Sequence, residues 1–301
     1  MLQHMSYDGH RATFAAVQTS AKRLTAARGK EMQVIAITGG KGGVGKTNIA
    51  VNLAVSMSME GLDVMLFDAD LGLANVDVVL GMQIKHTLAD VVSGEKTLAD
   101  VVVDGPEGVR VIPAASGVSQ MVEMKKAQQE TLIRQLSDQL MPPDVLIVDT
   151  GAGIDQTVQT FVAACESAVL VVCDEPASLT DAYALMKVLR AKKDLRRFEI
   201  LANQVDNPLQ GKQLFERIAN VCDRYLDVEL GYLGAIPTDM YLRRAVQERR
   251  ALVSVYPRSP AAIAIRDAGR RLNRQAPRSQ SSGVGFFVEQ LLRQQAHAVR
   301  H

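Results

Sequence analysis

The sequence predicts an α/β fold built on a doubly wound, mostly parallel sheet flanked by helices. Three observations carry that expectation. Short apolar, β-rich segments recur along the chain at Val34–Ile37, Val64–Phe67, Val109–Ile112, Val145–Val148, Ala168–Cys173, Glu199–Ala202 and Tyr232–Ile236. Helix-length stretches separate many of them. A glycine-rich loop follows the first segment, and aspartates close two others. Several segments are apolar almost throughout, as parallel strands covered on both faces require. Ligands of such sheets bind beyond the carboxyl ends of the strands, where this loop would lie.

In chain order, residues 1–31 form a polar leader. Within it Phe14, Val17, Ala21 and Leu24 recur at helical spacing, which predicts a short amphipathic helix with a partner-binding face. Residues 32–273 carry the strands, with helices expected at Ile49–Met59, Lys125–Leu140, Leu179–Leu189 and Gly211–Cys222. Residues 274–283 read as a flexible linker rich in Arg, Gln and Ser. Residues 284–301 bring Phe286, Phe287, Leu291 and Leu292 together with polar neighbours, an amphipathic helix suited to a membrane interface. The other reading of that segment is a helix packed on the protein's own core.

Composition narrows the function. At 301 residues and 47% hydrophobic, the chain can bury one full α/β core. A net charge of +1 gives no general reason to expect direct nucleic-acid binding. Cys165, Cys173 and Cys222 lack the C-x-x-C spacing of a metal or cluster site and fit a reducing compartment as small buried hydrophobes. The polar opening argues against a secretory signal, and no apolar run approaches the roughly 18 residues of a spanning helix. The densest basic cluster, Lys187 to Arg197, reads as a solvated helix end, with a docking surface as the alternative.

The loop Gly39-Gly40-Lys41-Gly42-Gly43-Val44-Gly45-Lys46-Thr47 satisfies the phosphate-loop pattern through Gly40, Gly45, Lys46 and Thr47, in the strand–loop–helix context that pattern needs. Lys41, Gly42, Gly43, Val44 and Asn48 join these four as expected nucleotide contacts. Glycines let backbone N–H groups curl round phosphate oxygens at the positive end of the next helix. Lys46 is expected on the β- and γ-phosphates, and the Thr47 hydroxyl on Mg²⁺. Aspartates at the ends of apolar strands serve such loops by holding the metal or its water. Asp149 fits that role best, Asp70 next, and Asp68 is the third candidate.

A second lysine inside the loop, Lys41, the Asp68-Ala69-Asp70 strand end and the Asp149 motif together resemble the MinD/ParA class of deviant Walker ATPases. Several longer stretches, among them Asp174-Glu175-Pro176-Ala177-Ser178-Leu179-Thr180-Asp181-Ala182-Tyr183 and Phe286-Phe287-Val288-Glu289, resemble the FlhG/FleN family within that class. The resemblance covers roughly residues 33–293 and implies a good deal. Lys41 would reach a partner's ATP across a homodimer formed on ATP binding. Asp70 would orient the attacking water and Asp149 would stand on the Mg²⁺ side. Asn203 and the segment holding Pro237 and Asp239 would recognise adenine. ATP hydrolysis, slow and coupled to dimerisation and membrane binding, would time a switch that limits flagellar number. Its implied partners are the FlhF GTPase, a FleQ/FlrA-type transcriptional activator, flagellar C-ring proteins, and the cytoplasmic face of the inner membrane near a pole. Gly9 replaces a glutamine of the family's leader motif, which puts stimulation of FlhF by this leader in doubt. Placement of the division site or partition of a chromosome is the nearest alternative function.

Overall fold

The computed structural model describes residues 32–70, 75–113, 142–275, 287, 289 and 290. The leader at 1–31, the helix expected over Lys125–Leu140, the linker from residue 276 onward and most of the terminal segment lie outside these residues.

Eight strands form one sheet in the order β3-β4-β2-β5-β1-β6-β7-β8. They are β1 (Gln33–Thr38), β2 (Val64–Ala69), β3 (Val103–Asp104), β4 (Arg110–Ile112), β5 (Val145–Thr150), β6 (Ser167–Val172), β7 (Arg197–Val205) and β8 (Glu229–Pro237). All neighbours pair in parallel except β3 and β4. Each strand expected from the sequence is present. The short β3 was not expected, because two residues leave no period to read.

The described helices are α1 (Lys46–Met59), α2 (Val76–Leu80), α3 (Leu88–Val92), α4 (Leu98–Val101), α5 (Gln156–Ala163), α6 (Pro176–Lys193), α7 (Pro208–Tyr225), α8 (Met240–Gln247), α9 (Leu252–Val255) and α10 (Pro260–Gln275). Both α6 and α7 begin with proline at the first position, where its missing N–H costs nothing. Helix α10 runs through Gln275, so the expected linker loses its first two residues to a helix.

Alternation along the strands divides the core into two layers. Val34, Ala36, Phe67 and Val148 face α5, α6 and α7 on one side. Ile35, Ile37, Leu66 and Ile147 face α1, α9 and α10 on the other. Phe287 lies fully buried in the first layer, its ring edge-on to Phe67 at 5.8 Å, and Phe161 of α5 stands 5.8 Å from Phe67 on another side. Of the two readings of the terminal segment, the structure holds this phenylalanine in the docked one.

Three arginines of the basic cluster at the end of α6, Arg190, Arg196 and Arg197, are ion-paired within the protein. Arg190 pairs with Asp194 and Asp227, and Arg196 with the same two carboxylates. The cations therefore tie the α6 end to the loop before β8, beyond neutralising the helix terminus.

Because Phe161 has no exposed surface, Phe161→Ala leaves a cavity between β2 and α5. We expect a loss of about 3–5 kcal/mol in urea unfolding, against almost none for Tyr225→Ala at the 72%-exposed end of α7.

Candidate nucleotide site

Strand β1 is the switch point of the sheet: β5 and β2 lie to one side of it and β6 and β7 to the other. The loop from Gly39 to Gly45 leaves its carboxyl end at that point, as the crevice rule for open sheets expects. Its path is set by close approach. A Cβ on Gly40 would lie 2.3 Å from the Asp181 carbonyl of α6, and one on Gly45 would lie 2.6 Å from the Asn203 amide nitrogen. Gly45 also takes φ of +92°, so α1 starts from a backbone shape that side chains resist. Asn203 Nδ2 donates to the Val44 carbonyl at 2.8 Å and Gln204 Nε2 to the Gly43 carbonyl at 3.3 Å. Gly153 N–H, beyond β5, donates to the Gly39 carbonyl at 3.3 Å. Strands β7 and β5 thus hold the loop from either side, while Gly42 and Gly43 stay exposed.

The two lysines of the loop occupy opposite environments. Lys46 opens α1 and is 8% exposed. Desolvation lowers its pKa, opposed by the carboxylates of Asp149 and Asp70. Lys41 reaches outward to the Glu175 carboxylate at 2.5 Å, in a pair that is partly open to solvent on both sides. That hydrogen bond and charge raise the Lys41 pKa.

Asp68 and Asp149 stand side by side in register on β2 and β5. Burial pushes Asp149 up to about 7, against a hydrogen bond from Thr47 and the charge of Lys46. Its Oδ1 is buried and has no hydrogen-bond partner among the described residues. Burial also raises Asp68 to about 6. That carboxylate is already engaged: it accepts from the backbone N–H groups of Asp70 (3.2 Å), Asn75 (3.2 Å) and Val76 (3.3 Å). Asp70 leaves the end of β2 with Oδ1 3.3 Å from where a Gly151 Cβ would be, so the glycine after β5 makes room for it. Lys46, Thr47, Asp70 and Asp149 are therefore brought to one place, with Asp68 bonded to the backbone at residues 70, 75 and 76.

The segments expected to recognise adenine end β7 and β8, beside the loop. Asn203 spends its amide donor on Val44, which leaves its buried Oδ1 without a partner. Asn48 Oδ1 is a second buried acceptor in that state. Pro237 closes β8 opposite Val205. The Asp239 carboxylate caps two helices at once, accepting from Tyr241 N–H of α8 at 2.8 Å and Ala261 N–H of α10 at 3.0 Å. Sequence reasoning missed that double cap, the Glu175 partner of Lys41 and the Asp181 backbone against Gly40. None of the three has a local signal, since each pairs residues that only the fold makes neighbours.

Residues 35–253 match the model of the CobQ/CobB/MinD/ParA nucleotide binding domain. The antiactivator FleN of Pseudomonas aeruginosa is 49% identical over 88% of this chain and 95% of its own length. The flagellum site-determining protein YlxH of Helicobacter pylori is 38% identical over 74% of this chain and 76% of its own. The septum site-determining protein MinD of Pyrococcus horikoshii, solved in complex with Mg-ADP, superposes with a TM-score of 0.63 at 26% identity, covering 80% of this chain and 96% of that one. On loop, fold and relatives together, the chain belongs to the FleN/FlhG family of MinD/ParA-type ATPases.

Proposed function

We propose that this chain is an ATP-dependent dimeric switch that restrains flagellar number or placement. The observation that carries the dimer is the separation of the two loop lysines. Lys46 is buried against Asp149 and Asp70, where it would neutralise phosphate charge. Lys41 lies on the outer side of the same loop, held by Glu175 at the surface. A cation placed there cannot share its own chain's phosphates with Lys46, yet it is available to a second copy. A donor supplied in trans stabilises the charge of phosphoryl transfer as an arginine finger does.

The residues present fit Mg²⁺. The ion keeps several waters and takes one or two carboxylates together with substrate phosphates. The unpartnered Oδ1 of Asp149, beside Thr47, matches that demand. Mg²⁺ supplies charge neutralisation across the phosphates, and Thr47 and Asp149 would hold it. The three backbone hydrogen bonds to Asp68 favour a different role for that residue than the metal contact expected of it: it anchors the loop that carries Asp70. Asp70 then orients the attacking water. Asn203 Oδ1 is a free acceptor for the adenine amino group, while Pro237 and Asp239 shape the segment beside it.

The flagellar role rests on the FleN and YlxH relatives. An antiactivator acts on a transcriptional activator, which supports a FleQ/FlrA-type partner; antagonism of FlhF, contact with C-ring proteins and a partner-binding leader at 1–31 belong to the same reading. Among the described residues no helix is long and apolar enough to cross a membrane. The buried Phe287 supports storage of that residue on the core; reversible attachment to the inner membrane when it is released rests on the amphipathic pattern of residues 284–301.

Size-exclusion chromatography with light scattering tests the switch. We expect a monomer with ADP and a dimer with ATP, lost in Lys41→Ala. Asp70→Ala should retain the dimer and lose at least tenfold in turnover; turnover at the wild-type rate would refute the mechanism. In cells, deletion of the gene should change the number of flagella and leave the division site in place.

A second expectation concerns pH. Unfolded, the Asp149 carboxyl titrates near 4; folded, it titrates at about 7. Between those values the folded state binds more protons, so the nucleotide-free protein loses stability as pH rises through that window. Its Tm should be lower at pH 8 than at pH 6, and Asp149→Asn should flatten the difference. A wild-type Tm that rises over this interval would remove the buried-carboxylate account.

A further inference from the structure

The cationic surface of this protein is not where the sequence is densest in charge. Residues 239–275 contain nine arginines, no lysine and three acids, a net charge of +6 in a chain whose total is +1. Whereas Arg190 and Arg196 are committed to Asp194 and Asp227, Arg243 and Arg250 form no ion pair among the described residues and are exposed.

Helix α8 carries two of these arginines, Arg243 and Arg244, on its exposed side. It buries Ala245 and turns Met240 (78% exposed), Arg243 and Arg244 outward, at the i, i+3 and i+4 spacing of neighbours on a helix. The Tyr241 ring lies 5.0 Å from the Tyr256 ring, and Arg244 stands over Tyr256 at 5.9 Å. Tyr256 Oη donates to Glu248 at 2.9 Å and Arg244 Nε donates to the same oxygen at 3.1 Å. These bonds and the double cap by Asp239 fix the face before anything binds it. A surface ordered in advance loses less entropy on association.

We infer that the exposed face of α8, with the turns holding Arg250 and Tyr256, is a docking surface for an acidic protein partner. Arginine, tyrosine and methionine are among the residues enriched at protein interfaces, and lysine is among the depleted ones. Unpaired guanidinium groups around an apolar centre call for carboxylates around an apolar centre. A phosphate backbone fits less well, because it offers nothing apolar to the exposed Met240 on this face, whereas a protein partner does. A lipid surface also fits less well, because Phe287 of the terminal segment packs on the other side of the sheet from α8.

The test is fluorescence anisotropy of the full-length protein with a labelled 20-residue helical peptide that carries glutamates around a leucine stripe. Arg243→Glu/Arg250→Glu should weaken binding at least tenfold, with ATP turnover and Tm unchanged, and Arg196→Glu should bind like the wild type. Equal binding by the double variant, or none by the wild type, overturns the inference. So does tighter binding of duplex DNA or of phosphatidylglycerol vesicles with the same arginine dependence. Loss of the ATP-induced dimer in the double variant would reassign the face to a second copy of the chain, and that also overturns it.

Discussion

A lysine and two carboxylates are held almost out of water at the carboxyl edge of the sheet, and the rest of the site is arranged round that fact. Lys46 and Asp149 each pay a desolvation penalty that shows in opposite pKa shifts, and each is stabilised by the other's charge. The pair persists because the central strands are covered on both faces and cannot move aside. Asp149 keeps one oxygen unpartnered, so the nucleotide-free state is the less satisfied one. A site tuned in this way gains from a bound cation and phosphates more than a solvated one would.

Around that centre the loop is located by sterics as much as by hydrogen bonds. Gly40 lies against α6, Gly45 against Asn203, and the Gly39 carbonyl takes a bond from the segment after β5. Because α6 also carries Glu175 just before its first residue, the helix that sets the loop's position also sets where Lys41 rests. Position of the loop and disposition of its outward lysine are therefore linked through one element. Asp68 plays the matching part on the other side, tying residues 70, 75 and 76 by backbone bonds.

The surface follows a different logic. Arg190 and Arg196 at the end of α6 are paired with local carboxylates, while Arg243 of α8 and Arg250 of the turn after it form no ion pair among the described residues. Charge density along a chain says little about this, because a helix end and its neighbouring loop can cancel what the helix carries.

The seven main strands, their mostly parallel pairing and the phosphate loop were legible in the sequence, since each rests on a local pattern: apolar runs, helix-length stretches between them, a glycine-rich loop, an aspartate after a strand. Lys41 was legible as an extra lysine, and its reach toward a second copy was expected from the resemblance to the MinD/ParA class. Its partner was not, because Glu175 lies 134 residues away. Asp68 looked like a metal ligand because strand-end aspartates share one signature, and only the fold brought three N–H groups to it. Asp239 looked like part of an adenine segment, and only packing put a second helix within its reach. The sequence by itself determined which residues could form the elements and carry phosphate chemistry. Tertiary structure decided which carboxylate oxygens are buried and which are already bonded, because hydrogen-bond partners and burial depend on contacts between distant segments that no local pattern records.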